Sequence, residues 1–289
     1  MKKIYVYDAY NNWEPALRAA CLRNGWECDT LKLFQLLPMD GWLFIRPSMK
    51  PGPLAAEKDW ICSHKDRSDL HWITDTRQIL HYENKVRQAQ LLQHALPKTQ
   101  IATGINDLKW INVGFPCVSK ASVGASSQFV RIIPDREALL REAKMIFSPQ
   151  GYPLNSKTWP NQQGYMYLQE FLPDNEYTLR VNIVGNQVAV WKRYNYPDKP
   201  VAQTGNAEAV NPLDYPNEVE FAREVAFDIG SKWCALDILT HEGEFYCLET
   251  SLGWPWPGVG GGVFAPSGAA WEDMFDVLLE EIDDGAFPA

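Results

Sequence analysis

Short apolar runs of strand length recur along the chain and alternate with helical patterns, which points to a mixed α/β class. In the first third, Ile4–Asp8 (IYVYD) reads as a strand, Trp13–Arg23 as an amphipathic helix ending before Gly25, and Glu27–Leu33 as a second strand. Gly41–Arg46 (GWLFIR) is a third, stopped by Pro47. That rhythm is the rhythm of a small open α/β sheet. The Pro/Gly stretch Pro47–Pro53 is expected as a loop and Trp72–Thr74 as one more strand, with a domain boundary near Leu80.

Beyond it the spacing predicts a helix over Glu83–His94, an extended Pro97–Thr103, a turn or helix near Asp107–Asn112, and strands Phe115–Lys120 and Gln128–Ile133. Asp135 caps a helix from Pro134 to Met145, and Ser148–Gln163, rich in Pro, Asn and Gln, is a loop. From Tyr165 the chain turns β-rich: Tyr165–Leu172, then Tyr177–Val184 and Gln187–Tyr194 around the hairpin signal Gly185-Asn186. Helix Asn217–Gly230, strands Trp233–Leu239 and Phe245–Thr250, a Gly/Pro/Trp loop (Gly253–Gly268) and a helix Ala269–Ile282 complete it.

The 289 residues suffice for two or three folding units. No window approaches the roughly 18 consecutive apolar residues of a membrane span. The start MKKIYVYD lacks a signal-peptide core, so a cytoplasmic protein is expected. A net charge of -9 without a basic run longer than two argues against nucleic acid as a partner. Six cysteines without a CxxC pair read as reduced thiols, and five histidines show no metal spacing.

Three constellations carry chemistry. Lys120 ends a strand and is followed by the small-residue turn through Gly124, Ala125, Ser126 and Ser127, which suits either a phosphate cradle or a hairpin that begins with an exposed lysine. A three-residue turn at Glu242–Glu244 would set Asp237 opposite Glu249, with Leu236, Ile238, Tyr246 and Leu248 on the reverse face. Two opposed carboxylates repel unless a cation such as Mg2+ joins them; a solvated acidic face is the other reading. The Gly185-Asn186 hairpin puts Arg180, Asn182, Trp191 and Arg193 on one face, for an anion or for acidic neighbours.

Taken in order, Asn84-Lys85, Val-Ser-Lys120 with GASS, Tyr-Leu-Gln169-Glu-Phe-Leu172 with Glu176, Arg180, Arg193, Leu-Asp237 and Leu-Glu249-Thr-Ser251 resemble an ATP-grasp ligase of the glutathione synthetase, D-alanine ligase and ribosomal-protein glutamate ligase branch. The resemblance implies an ATP-grasp fold in residues 81–289, with two α+β subdomains (about 113–170 and 171–289) gripping the nucleotide, preceded by the α/β domain 1–80. It implies that Lys85 and Lys120 hold the α- and β-phosphates, that Gly124–Ser127 closes over the γ-phosphate, and that Gln169, Glu170 and Leu172 meet adenine and Glu176 the ribose. Asp237, Glu249 and Ser251 match the Mg2+ ligands of a site holding two ions, with Mn2+ as a substitute, and Arg180 and Arg193 match catalytic arginines.

The implied activity is ADP-forming: a small-molecule or peptide carboxylate becomes an acyl-phosphate and is joined to an amine or thiol. A small-molecule kinase and a non-catalytic nucleotide-binding module are the alternatives, and a homodimer is one expected assembly. Two departures stand out. Ser251 replaces the asparagine of the family's Glu-x-Asn, and Ala235 stands where D-alanine ligases carry arginine, which argues against D-alanine as substrate. Tyr10 and Arg46, at the strand ends of the N-terminal sheet, and Trp254 and Gly258, in the Gly/Trp loop, are candidate substrate contacts; packing is the other reading for each.

Overall fold

The computed structural model describes residues 2–34, 40–124, 129–196, 199–252 and 262–287, with main chain only at 196 and 199–205. Strands β1 (Lys3–Asp8), β2 (Glu27–Thr30), β3 (Trp42–Arg46) and β4 (His71–Trp72) form a parallel sheet in the order β2-β1-β3-β4. Helix α1 (Glu14–Arg23) links β1 to β2. The order reverses between β1 and β3, whose last residues, Asp8 and Arg46, are register partners. Helix α2 (Pro51–His64) replaces the second half of the loop expected over Pro47–Pro53. Proline in a first helical turn loses no intrahelical hydrogen bond, so this Pro-Gly-Pro starts a helix where it reads as a loop.

The helix expected over Glu83–His94 is the shorter α4 (Lys85–Leu91), and a further helix not expected from the sequence, α3 (Thr76–His81), precedes it. Glu83 between them has φ +51°, which an α-helix cannot accommodate. Side-chain caps start both helices: Asp75 accepts from Arg77 N, and Asn84 from Arg87 N at 3.0 Å.

A second, antiparallel sheet has the order β5-β8-β6-β7, from β5 (Thr99–Ala102), β6 (Cys117–Lys120), β7 (Val130–Ile133) and β8 (Met166–Glu170). Helix α5 (Arg136–Ile146) packs Leu139, Ala143 and Ile146 on it, and its cap Asp135 accepts from Ala138 N at 2.8 Å.

The third sheet is antiparallel with the order β11-β10-β9-β12-β13: β9 (Tyr177–Val184), β10 (Gln187–Tyr196), β11 (Lys199–Val210), β12 (Trp233–His241) and β13 (Glu244–Ser251). Strand β11 lacks a sequence signal because Pro200, Gly205 and its alanines dilute the β-branched pattern; on a sheet edge a proline is tolerated. The back of this sheet buries Leu179, Val181, Ile183, Val188, Val190, Leu236 and Ile238 against α4 and α6 (Pro216–Asp228).

Its front is divided. At one end Val184, Ala189, Trp191, Trp233 and Ala235 share a core with Ile4, Val6, Trp13 and Phe44 and with Phe275 and Leu278 of α7 (Met274–Asp283). Trp233 stacks on Phe275 at 5.9 Å and meets Phe44 edge-on at 5.1 Å. The other end bears Arg180, Arg193, Asp237 and Glu249, in step with strand alternation.

The two hairpin turns differ. Gly185 (φ +58°) fits a type II′ turn, and the buried Glu281 carboxylate accepts Asn186 N at 2.6 Å and Gln187 Nε2 at 2.8 Å. The β12–β13 turn has two residues, Glu242 and Gly243, both at positive φ, rather than the three expected. A bulge makes up the difference: Ile238 pairs with Cys247 while Asp237 still pairs with Glu249, so Leu248 is the extra residue. Cys247 therefore takes the buried back position expected for Leu248, and Leu248 lines the cleft described below.

A methyl on Gly185 would lie 2.3 Å from Glu281 Oε2 at a φ that disfavours any side chain. Gly185→Ala is expected to lower stability by about 1–3 kcal/mol. Urea denaturation checks this, and an unchanged midpoint would refute the tight seat of Glu281 on the turn.

Candidate active site

One cleft draws residues from both antiparallel sheets. Lys120, Gln169, Glu170 and Leu172 come from the β6/β8 side, and Arg193, Asp237, Leu248 and Glu249 from the β9–β13 side; Lys85 and Gly124 close one end. Val118, Ile132, Phe171 and Leu239 add apolar wall.

Two lysines are buried here, each only 8 % exposed, and their partners differ. Lys85 Nζ lies 3.0 Å from Glu249 Oε1 and donates to Gly124 O at 3.2 Å. Burial opposes its charge, but Glu249 and Glu83 outweigh that and hold its pKa above the ordinary value. Lys120 Nζ instead donates to two neutral oxygens, Gln169 Oε1 at 2.7 Å and Leu248 O at 3.4 Å. Burial pushes its pKa down to about 8, with Glu249 opposing from a distance. A buried ammonium whose contacts are neutral is a site prepared for an anion.

Gln169 is committed to that lysine. Its Oε1 accepts from Lys120 while its Nε2 donates to Thr99 Oγ1 at 2.9 Å and to Tyr167 OH at 3.1 Å. The side chain thus positions Lys120, and Glu170 N donates to Lys98 O at 2.8 Å. On the wall after Leu172 the lining residues are Asp174 and Asn175, while Glu176 gives its carbonyl to Asn195 N at 3.0 Å.

Asp237 is the hub of the opposite wall. Its Oδ1 accepts from Arg180 Nη1 at 2.8 Å and from Arg193 Nη1 at 2.7 Å, because β9 and β10 carry both arginines on the face that β12 gives to Asp237. Burial would raise this carboxyl, yet the two guanidiniums hold its pKa at about 2. Glu249 stands opposite Asp237, and Ser251, two residues on, lies on the same side of β13 opposite Ala235, with its carbonyl 3.4 Å from Gln78 Nε2.

The small-residue turn is clasped to the start of α4. Lys85 N donates to Ser122 O at 3.1 Å, Gly124 N to Glu83 Oε2 at 2.8 Å, and Ser122 N to Tyr165 OH at 2.6 Å. Gly124 has φ +105°, and a Cβ there would meet Phe129 Cδ2 at 2.4 Å. Ala125, Ser126, Ser127, Trp254 and Gly258 lie outside the described residues.

In the N-terminal sheet Arg46 is held internally: it bonds Asn12 and lies 3.5 Å from Asp8 Oδ1, with its guanidinium 4.0 Å from the Trp13 ring and 4.9 Å from that of Tyr10. Asp8 in turn accepts the main-chain N–H groups of Tyr10, Asn12 and Trp13, so it fixes this strand end.

Sequence reading missed three residues that shape the cleft. Glu83 has one signal, its place next to Asn84-Lys85. Tyr165 and Gln88, whose Nε2 donates to Thr250 O at 3.2 Å beside Glu249, have none, because they act through non-local contacts.

A carboxyl held at about 2 binds fewer protons folded than unfolded between about pH 4 and pH 2, so its stabilisation is present above that window and lost as pH falls through it. Wild-type protein is expected to lose about 2 kcal/mol more across this window than Asp237→Asn, measured by urea titration. Equal losses would remove Asp237 as the counterion of the two arginines.

No family model and no curated protein matches the chain. Solved structures do. A RimK domain protein ATP-grasp from Sphaerobacter thermophilus aligns over 100% of both chains at 12% identity and TM-score 0.61. The ATP-grasp ligase PsnB, complexed with a minimal precursor, aligns over 97% of this chain and 99% of its own at 13% identity and TM-score 0.63. A D-alanine–D-alanine ligase from Bacillus anthracis aligns over 99% and 97% at 12% identity and TM-score 0.57. With three sheets in this order and the cleft between the last two, the chain has the ATP-grasp fold.

Proposed function

We propose that the protein is an ATP-dependent ligase that activates a carboxylate, of a small molecule or a peptide, as an acyl-phosphate and joins it to an amine or a similar nucleophile. The observation that carries this reading is the buried Lys120 ammonium, bonded to neutral oxygens, across the cleft from the paired Asp237 and Glu249. The fold points the same way, since the neighbours named above include a ligase complexed with a minimal precursor and a D-alanine–D-alanine ligase. Ala235 keeps D-alanine itself out of the proposal.

The donor set fits Mg2+ with a polyphosphate: two carboxylates in register, a hydroxyl at Ser251, and lysines for the remaining negative charge. Asp237, Glu249 and Ser251 would hold the metal, which when bound supplies charge neutralisation at the transferred phosphoryl group. Lys120 and Lys85 would bind the phosphates. The apolar wall of Val118, Ile132 and Leu248 would cover the base, whose edge meets the Glu170–Leu172 main chain. Arg193, anchored by Asp237 and lining the cleft, would stabilise charge on the phosphoryl group while the acid attacks. This task is positioning and electrostatics, and it needs no side-chain nucleophile.

The test is incubation of the purified protein with Mg-ATP and pooled acids and amines, following ADP release and condensed products by mass spectrometry. Turnover is expected, with Glu249→Gln and Asp237→Asn each slowing it by about a hundredfold or more. Absence of both nucleotide binding and ADP release would sink the proposal. Phosphorylated product without a new bond would select a kinase, and tight binding without turnover a regulatory module with Ser251 as its weak metal ligand.

Binding has its own signature. A phosphate beside Lys120 raises its pKa from about 8, so nucleotide binding is expected to take up a proton between about pH 8 and pH 9 and to weaken as pH rises through that range. Calorimetry in two buffers of different ionisation enthalpy measures the uptake; Lys120→Ala should abolish it and weaken binding by about tenfold or more.

A further inference from the structure

Glu83 is a costly residue where it stands. Its φ of +51° is served with less strain by glycine or asparagine, and burial pushes its carboxyl up from the ordinary range. What glutamate adds is a carboxylate on the Gly124 N–H, at 2.8 Å. That N–H belongs to the turn that also offers its carbonyl to Lys85, and Gly124 lines the cleft. Main-chain N–H groups in such turns are anion donors. Glu83 and Glu249 both bear on the Lys85 charge, so an anion entering at this end meets two carboxylates already arranged around one ammonium.

We propose that Glu83 sets the affinity of the cleft for the phosphate end of a nucleotide, because its carboxylate is the anion with which a polyphosphate competes for the Gly124 N–H and for the charge of Lys85. The inference rests on the nucleotide reading above and goes beyond it in assigning a residue that opposes binding rather than aiding it. Competition requires the Glu83 side chain to leave Gly124 when a phosphate arrives. The Lys58 ammonium, anchored to Tyr82 O at 2.5 Å, also favours the charged form of Glu83. Like charges at a few ångströms in a half-buried site oppose each other by an amount that shifts binding severalfold.

Two variants test this in the full chain. Glu83→Gln keeps an oxygen for Gly124 and removes the charge; Glu83→Gly removes both and suits the positive φ, so its fold is retained. Calorimetric titration with Mg-AMPPNP, Mg-ADP and adenosine is expected to show AMPPNP bound about three- to tenfold tighter by both variants, ADP by less, and adenosine unchanged. If both variants bind AMPPNP no tighter than wild type, or if adenosine affinity moves in step with AMPPNP, Glu83 is structural and the inference falls alone. Wild-type protein that binds none of the three overturns the nucleotide reading and this inference together.

Discussion

The costliest element of this molecule is the burial of two lysines in one cleft, and the surrounding structure is arranged around how each is compensated. An ammonium taken out of water without a counterion loses several kcal/mol unless it gives up its proton or finds an anion. Lys85 finds Glu249 at 3.0 Å, which requires α4 to begin at residue 85 and to lie against β13. The positive φ at Glu83 and the Asn84 cap are what end one helix and start the next there. Lys120 is left with an amide and a carbonyl, and Gln169 is itself immobilised by Thr99 and Tyr167. The two ends of the cleft therefore differ: one lysine is neutralised by a carboxylate at 3.0 Å, while the other is held only by neutral oxygens.

The opposite wall solves the converse problem. A buried carboxylate is stabilised by two guanidiniums delivered from adjacent strands, and the geometry follows from sheet alternation once the hairpins fix the register. Since Arg180 and Arg193 share the front face with Trp191 and Ala189, a slip of one residue in β10 would carry Arg193 into the packed back of the sheet. The same front face, a few residues along, is the aromatic floor on which the N-terminal sheet sits. Charge and packing are thus written on one surface, and the position of Trp233 on Phe44 and Phe275 helps to keep Asp237 where it is, four residues further along β12.

Much of this was legible in the chain because it is local or periodic. The open α/β sheet of the first strands, the Gly185 hairpin and the Asp135 cap all follow from neighbours in sequence, whereas the strand order β2-β1-β3-β4 does not. The pairing of Asp237 with Glu249 was also expected, but through a different turn: a two-residue loop plus a bulge gives the same pair as a three-residue loop, while exchanging the places of Cys247 and Leu248. Helix α2 and strand β11 were illegible because Pro and Gly read as punctuation, yet a helix start and a sheet edge both tolerate them. The roles of Gln169 and Glu83 depend on partners 49 and 41 residues away, and no local pattern encodes such distances.

The N-terminal sheet reaches the turn at Gly124 through a short series of contacts. At its switch point Tyr10 OH accepts from Met49 N at 2.6 Å, and the Met49 carbonyl accepts from Trp159 Nε1 at 3.2 Å. Trp159 lies edge-on to Phe129 at 5.5 Å, and Phe129 fills the space beneath Gly124. Contiguity of this kind is not by itself coupling, but it fixes distance and direction. Through this series residues 10 and 49 are linked to the Gly124 end of the cleft. Arg46, tied to Asp8 and Asn12, holds that strand end in shape, while in the cleft itself Asp237 ties down Arg180 and Arg193, and the Lys120 ammonium is held by neutral oxygens.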